Sequence, residues 1–181
     1  QSAPAGRPYA TAFQVRVLDA NQAPVSGVTV TFTVPASGPS GTFANNVNTA
    51  VTNASGLATA PAFTANTSAG AYNIVASAAG TASTATFALT NLALVVTPFS
   101  GTPQSAPIGT AFSAPLRVRV ADSTSAAVSG VTVTFFAPGS GASGAFANNL
   151  NTAVTNSDGI ATAAAFTANQ TLGRYSVSAT A

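Results

Sequence analysis

The 181-residue sequence is written twice. Gln1-Ser2-Ala3-Pro4 recurs 103 residues later as Gln104-Ser105-Ala106-Pro107, and the same offset then holds without a gap to Ala181. Val25-Ser26-Gly27-Val28-Thr29-Val30-Thr31-Phe32 returns as Val128-Ser129-Gly130-Val131-Thr132-Val133-Thr134-Phe135. Phe43-Ala44-Asn45-Asn46 returns as Phe146-Ala147-Asn148-Asn149, and Ala62-Phe63-Thr64-Ala65-Asn66 as Ala165-Phe166-Thr167-Ala168-Asn169. Well over half of the overlapping positions are identical. A fold for this chain must therefore fit one unit of about a hundred residues used twice, with two small cores rather than one large one. Copies this close point to duplication within an array, not to two domains with separate tasks.

Inside each copy the apolar residues alternate with polar ones. Phe13, Val15 and Val17 are separated by Gln14 and Arg16, and Leu116, Val118 and Val120 by Arg117 and Arg119. Val28, Val30 and Phe32 are separated by Thr29 and Thr31, while Tyr72, Ile74 and Ala76 and then Ala85, Phe87 and Leu89 continue the pattern. A period of two means strands with one buried and one wet face, and the β-branched, Thr-rich runs disfavour helix. Turn signals stand between them: Asn21-Gln22-Ala23-Pro24, Ser37-Gly38-Pro39-Ser40-Gly41, and Ser55-Gly56 with its counterpart Asp158-Gly159. About seven short strands per hundred residues, with a turn every 8 to 12, is the pattern of an Ig-like sandwich. The fold class expected is all-β: two tandem Ig-like antiparallel β-sandwiches of Greek-key type.

Charge removes whole classes of function. Only 4% of residues are charged, and the net charge is +2, against roughly 25% charged in an average soluble protein. The basic residues are Arg7, Arg16, Arg117, Arg119 and Arg174; the acids are Asp19, Asp122 and Asp158; Lys, Glu, His and Cys do not occur. With Arg117 and Arg119 as the one close basic pair, no nucleic-acid partner is expected, because electrostatic binding needs a cluster of phosphate contacts. Nor is a membrane span, since the longest apolar run, Leu92 to Val96, is far short of the roughly 20 residues required. Gln1 is not followed by the charged start and apolar run of a signal peptide, so the chain is expected to be a mature or internal segment.

The same inventory argues against catalysis, cofactors and metals. Of the side chains that do acid-base work at neutral pH, only Asp and Tyr are present. Asp19 and Asp122 hold one repeat position and are expected to accept backbone hydrogen bonds in the turn preceding the Val25 and Val128 strands. Asp158, in the place of Ser55 before a glycine, is likewise expected to be a structural turn residue. Calcium needs about six oxygen ligands, several of them carboxylates, and three dispersed Asp residues do not supply them. The Asn clusters (Asn45, Asn46, Asn48; Asn148, Asn149, Asn151) are expected to satisfy loop backbone or face solvent. Phe136 breaks the alternation: it follows Phe135 where the first copy has Thr33, which marks it for an interdomain or lateral contact.

One stretch carries a family likeness. Val17-Leu18-Asp19-Ala20-Asn21-Gln22-Ala23-Pro24-Val25-Ser26-Gly27-Val28-Thr29-Val30-Thr31-Phe32 resembles the opening of bacterial Ig-like domains of the invasin and intimin type. There an Asp-containing turn leads into a Pro-Val-x-Gly-Val-x-Val-x-Phe strand. Thr52 to Thr59, Phe63-Thr64-Ala65-Asn66 and Gly70 to Ala76 resemble the rest of that pattern, in both copies. The resemblance implies a tandem module of bacterial surface adhesins and extracellular filaments, with no catalytic residues.

The repeat register also sets expected boundaries. Leu92 to Thr97 reads as the first strand of the second sandwich, with nothing equivalent before Gln1. Ser83 to Thr90 reads as the last strand of the first, with nothing equivalent in the second copy. The expected division is residues 1–91, lacking a first strand, and residues 92–181, lacking a last one. Two accounts fit: neighbouring repeats of a longer array supply the strands, or strands are exchanged between chains as in pilus assembly. The leading functional expectation is a structural spacer in an extracellular filament or adhesin stalk at the bacterial cell surface. Its partners would be neighbouring repeats, and other copies by strand complementation or lateral packing. The alternative is an adhesive module for a host receptor or carbohydrate, using segments that differ between the copies: Arg7 to Gln14 against Thr110 to Arg117, and Ala71 against Arg174.

Overall fold

A computed structural model describes residues 1–81 and 83–181, and its contacts divide them into unit 1, Gln1–Ala93, and unit 2, Leu94–Ala181. The chain is all-β. Unit 1 carries β1 (Ser2–Pro4), β2 (Gln14–Arg16), β3 (Thr29–Thr33), β4 (Gly41–Phe43), β5 (Thr49–Val51), β6 (Leu57–Thr59), β7 (Phe63–Ala65), β8 (Gly70–Ala78) and β9 (Thr84–Leu92). Unit 2 carries β10 (Leu94–Ser100), β11 (Arg117–Asp122), β12 (Thr132–Phe136), β13 (Gly144–Phe146), β14 (Thr152–Val154), β15 (Ile160–Thr162), β16 (Phe166–Ala168) and β17 (Ser178–Thr180). The contact boundary lies two residues beyond the expected one, because Leu92 ends β9, opposite Pro4, instead of opening the next strand.

In unit 1 a five-stranded sheet of order β1-β9-β8-β3-β5 lies with the ladders β2-β6 and β4-β7 around one core. Alternation decides which side chains enter it. On β3, Val30 and Phe32 are buried between exposed Thr29 and Thr33; on β8, Tyr72, Ile74 and Ala76 are buried. Phe13, Phe32, Phe43 and Phe63 meet at the centre, with ring centroids 4.6 Å apart for Phe43 and Phe63 and 5.4 Å for Phe13 and Phe63. Tilted and edge-on aromatic contacts of this kind add to the area they bury. On β9 the alternation begins only at Phe87, since Ala85 is exposed at the mouth of a small cavity that no strand covers in unit 1.

One pairing departs from the expected antiparallel pattern: β1 runs parallel to β9. After β1 the chain crosses to the other layer, where the Tyr9 N–H donates to the Phe63 carbonyl. A strand not tied to its neighbour by a hairpin is free to run parallel.

Unit 2 repeats β2 to β8 of unit 1, in sheets β14-β12-β17, β10-β11-β15 and β13-β16. Its core holds Val120, Val133, Phe135, Phe146 and Phe166, with Phe146 and Phe166 centred 4.7 Å apart. The two units differ where a neighbouring strand is present in one and absent in the other. β10 pairs along β11, which then runs for six residues and buries Val118 and Val120. In unit 1 the matching β2 has three residues, and Val15 and Val17 are only half-buried. Conversely β8 runs nine residues against β9, whereas β17 keeps three.

The aromatic core sets a measurable difference. Phe32 packs on both Phe43 and Phe87, while Phe135 has Phe146 but no partner in the place of Phe87. Phe32→Ala is expected to lower the stability of unit 1 by about 3–5 kcal/mol, and Phe135→Ala to cost unit 2 less. Denaturant titration followed by circular dichroism would reveal equal losses if the packing account were wrong.

Candidate functional site

The polar side chains that the composition left available are mostly taken up by the chain's own backbone. The Asp19 carboxylate accepts from the N–H groups of Asn21 and Ala23 at 2.8 and 2.9 Å. In unit 2 the Asp122 carboxylate accepts from the N–H of Thr124 at 2.8 Å, its hydroxyl at 2.6 Å and the N–H of Ala126 at 3.1 Å. Asp122 is buried where Asp19 is exposed, because the β10 to β11 ladder extends to the Leu94 and Asp122 pair. The Thr124 hydroxyl beside it holds the Asp122 carboxyl below the ordinary carboxylate range, helped by the two backbone N–H groups and opposed by burial.

Asp158 stands in its turn, but the acceptor there is Asn156. Its Oδ1 takes the N–H groups of Asp158 and Ile160 at 3.0 and 2.9 Å, as Asn53 does for Ser55 and Leu57 in unit 1. Asn45, Asn46, Asn148 and Asn149 have φ of 56° to 57°, the left-handed backbone that Asn tolerates better than most residues. Asn48 and Asn151 donate to the carbonyls of Phe32 and Phe135. Arg16 and Arg119 donate to the carbonyls of Ser55 and Ser125. Among the described residues no three of His, Cys, Asp and Glu come together as a metal site, and no helix is long and apolar enough to cross a membrane.

Phe136 lies half-exposed on the outer side of β12, opposite Ser178. With its ring in the third position, the outward row formed by Thr29, Thr31 and Thr33 in unit 1 becomes Thr132, Thr134 and Phe136 in unit 2.

Two features escaped the sequence reading. The first is a buried polar chain in unit 1: the Tyr72 hydroxyl donates to the Tyr9 hydroxyl at 3.2 Å, and Tyr9 donates to Asn91 Oδ1 at 2.8 Å. Burial pushes both phenols up from their ordinary pKa. Asn91 is only 1% exposed, and its amide donates to the Ser40 carbonyl, Asn66 Oδ1 and the Ser68 carbonyl at 2.9, 2.9 and 3.0 Å. The signal was available, since Asn91 continues the inward spacing of Phe87 and Leu89. The second is a cavity of about 870 Å³ in unit 2, bordered by Phe112, Leu116, Phe135, Phe166 and Tyr175. Phe112 stands where unit 1 has Tyr9, and the buried Tyr175 hydroxyl has no hydrogen-bond partner.

The Asp122 geometry fixes a pH dependence. Its folded pKa is depressed, so its contribution is present above the unfolded value of 3.8 and lost as pH falls through the lower folded value. Asp122→Ala is expected to cost unit 2 about 1–3 kcal/mol at neutral pH and to flatten its melting temperature below pH 4, while Asp158→Ala leaves the stability at neutral pH unchanged, since Asn156 closes that turn. Calorimetry across pH 2 to about 7 checks this; an unaltered acid limb in Asp122→Ala would refute it.

No protein-family model matches the chain, and no curated protein matches it. Among solved structures it is similar to the D0-D1 domain of intimin, at 21% identity and a TM-score of 0.41, covering 98% of this chain and 85% of that one. It is similar to invasin, described as a bacterial integrin-binding protein, at 22% identity and a TM-score of 0.45, covering 98% of this chain and 34% of that one. A third is the adhesin InvE of Yersinia pseudotuberculosis, at 23% identity and a TM-score of 0.41, covering 94% of this chain and 49% of that one. The chain thus spans about a third of the invasin chain and half of InvE. Over nearly its whole length, the structural neighbours of this all-β chain are bacterial adhesin domains of the intimin and invasin kind.

Proposed function

We propose that the chain is a non-enzymatic tandem β-sandwich segment of an extracellular bacterial adhesin stalk or filament, acting as a spacer at the cell surface. The observation that carries this reading is the repetition of one register. β3, β5 and β8 of unit 1 and β12, β14 and β17 of unit 2 pair residue for residue at an offset of 103. The loops repeat too, down to the Asn oxygens that bind turn backbone. Units this similar suit a function that scales with copy number, such as reach, better than separate recognition tasks. The resemblance of Val17 to Phe32 to invasin-type repeats points the same way. Neighbouring repeats of the same protein are the partners this function needs, and the exposed Phe136 ring is a candidate for contact with them or with other copies. Low net charge leaves little repulsion to oppose lateral packing.

Reach can be measured. In concatenated chains of two, four and six units, the maximum dimension from small-angle scattering is expected to rise in proportion to unit number. Growth closer to the square root of unit number, as flexible linkage gives, would defeat the spacer reading. Binding of host receptors or glycans that vanishes when residues 7–14 replace residues 110–117 would favour an adhesive module instead.

A further inference from the structure

We propose that the parallel pairing of β1 with the end of β9 is a force-bearing clamp in unit 1, latched by the buried Asn91 side chain. Its use rests on the stalk reading, in which the chain carries tension along its length. Tension reaches β1 from its N-terminal side, at Ser2. It reaches β9 from its C-terminal side, because Ala93 alone separates Leu92 from the first residue of β10. The two strands run the same way, with Ser2 opposite Thr90, Ala3 opposite Asn91 and Pro4 opposite Leu92. Opposite pulls on parallel neighbours act along the strands, so the bonds joining them are loaded in shear and together. Those bonds include Thr90 N–H to the Gln1 carbonyl at 3.0 Å and Ala5 N–H to the Leu92 carbonyl at 2.9 Å. An antiparallel hairpin pulled at its two ends instead opens one bond at a time.

The side chains oppose sliding. The buried Asn91 amide donates to the Ser40 carbonyl, Asn66 Oδ1 and the Ser68 carbonyl, while its Oδ1 accepts the Tyr9 hydroxyl. Because side chains alternate, β9 cannot slip by one residue without turning Asn91 and Leu89 out of the core. A slip of two towards its C-terminal end brings Leu89 among those oxygens, and an apolar side chain leaves them unpaired. The pairing therefore holds until the Asn91 contacts break.

The segment that follows β1 is anchored on the same cluster. Gly6 N–H donates to the Asn66 carbonyl at 3.0 Å, Ala65 N–H to the Arg7 carbonyl at 2.9 Å and Tyr9 N–H to the Phe63 carbonyl at 2.9 Å. The buried Tyr9 side chain then reaches Asn91 at 2.8 Å and accepts the Tyr72 hydroxyl at 3.2 Å. Asn66 holds both loaded segments: its carbonyl takes Gly6 after β1, and its Oδ1 takes Asn91 in β9. Asn66 is fixed in turn by its own amide on the Gly38 carbonyl and by the Ser40 N–H on its Oδ1. Pulling β1 back and β9 forward therefore strains one shared cluster. Apolar packing is non-directional and lets strands slide with little loss; the buried hydrogen bonds supply the direction.

Pulling on the full chain in optical tweezers tests the clamp. The sequence has no cysteine, so handles attach through Gln1→Cys with Ala93→Cys for shear. Gln1→Cys with Ala79→Cys peels the same bonds, since Ala79 lies in the turn before β9 and a pull away from it folds β1 back from its N-terminal end. All three positions are exposed. Unit 1 is expected to unfold at higher force in the first geometry than in the second. At constant force in the first geometry, Asn91→Ala and Tyr9→Phe are expected to unfold about fivefold faster or more, as loss of a hydrogen bond broken at the barrier gives. Val30→Ala, in the core on β3, is expected to lower equilibrium stability yet change that rate by about twofold or less. Equal forces in the two geometries would overturn the clamp, whether or not the variants fold. A rate that responds to Val30→Ala and ignores Asn91→Ala and Tyr9→Phe would overturn it too. Scattering from concatenated units reports on the stalk and these forces on the clamp, so either reading can fail alone.

Discussion

Backbone pairing with the next strand is the constraint on which the rest of this molecule depends. The two units are identical at well over half of their matching positions, so they act as controls for one another. Where β10 lies alongside, Arg117–Asp122 is a six-residue strand and Val120 is fully buried; the same segment of unit 1, without such a neighbour, keeps three strand residues. Where β9 lies alongside, Gly70–Ala78 is one continuous strand; its counterpart in unit 2 is strand only over Ser178–Thr180, the part opposite β12. Local sequence is close in the first pair, Gln14-Val15-Arg16 against Arg117-Val118-Arg119, and looser in the second, where Gly, Tyr and two Ala are shared. In both, the extent of the strand follows whether the N–H and C=O groups of one edge find partners.

With so few charges, the fold cannot use ion pairs to fix its loops, and amides and hydroxyls take that role. Asn53 and Asn156 close equivalent turns, Thr52 and Thr155 accept the N–H groups of Val28 and Val131 at 2.9 Å, and Asn66 and Asn169 tie two loops together. These groups do not titrate. Carboxylates share the task in the turns of Asp19 and Asp122, the latter buried and satisfied by three donors. The chemistry that gives the loops their shape is also why few polar groups are left over for catalysis or metal binding.

Much of this was legible in the sequence, because alternation and turn residues report directly on which face is buried and where the chain reverses. Val30, Phe32, Tyr72 and Ile74 lie inside as their spacing requires. Spacing alone did not give the sheet neighbours. The parallel pairing of β1 with β9 depends on where the chain crosses between layers, and the exposure of Ala85 on the absence of a covering strand. Asn91 shows the limit most clearly. Its inward position follows from Phe87 and Leu89, but its role depends on Ser40, Asn66 and Ser68, which are remote in sequence and converge only in the folded sandwich. The same holds for Asp158, whose turn was legible while the atom that closes it, Asn156 Oδ1, was not.

A weakly charged chain rich in strands is at risk of indiscriminate edge pairing, and the form of its edges answers that risk. The outer strands β5 and β14 are three residues long, with Val51 and Val154 well exposed, so each offers little backbone for a stray strand to extend. The β8 edge of unit 1 is different in kind. Its partner β9 brings the Phe87 ring against Phe13 and Phe32 and presents the Asn91 amide to Ser40, Asn66 and Ser68. A strand lacking the ring would leave a void there, and one lacking the amide would leave acceptors unpaired, each at a cost of a few kcal/mol. Selectivity for β9 therefore comes from placing the backbone edge beside a shaped core, where pairing and packing are either satisfied together or not at all.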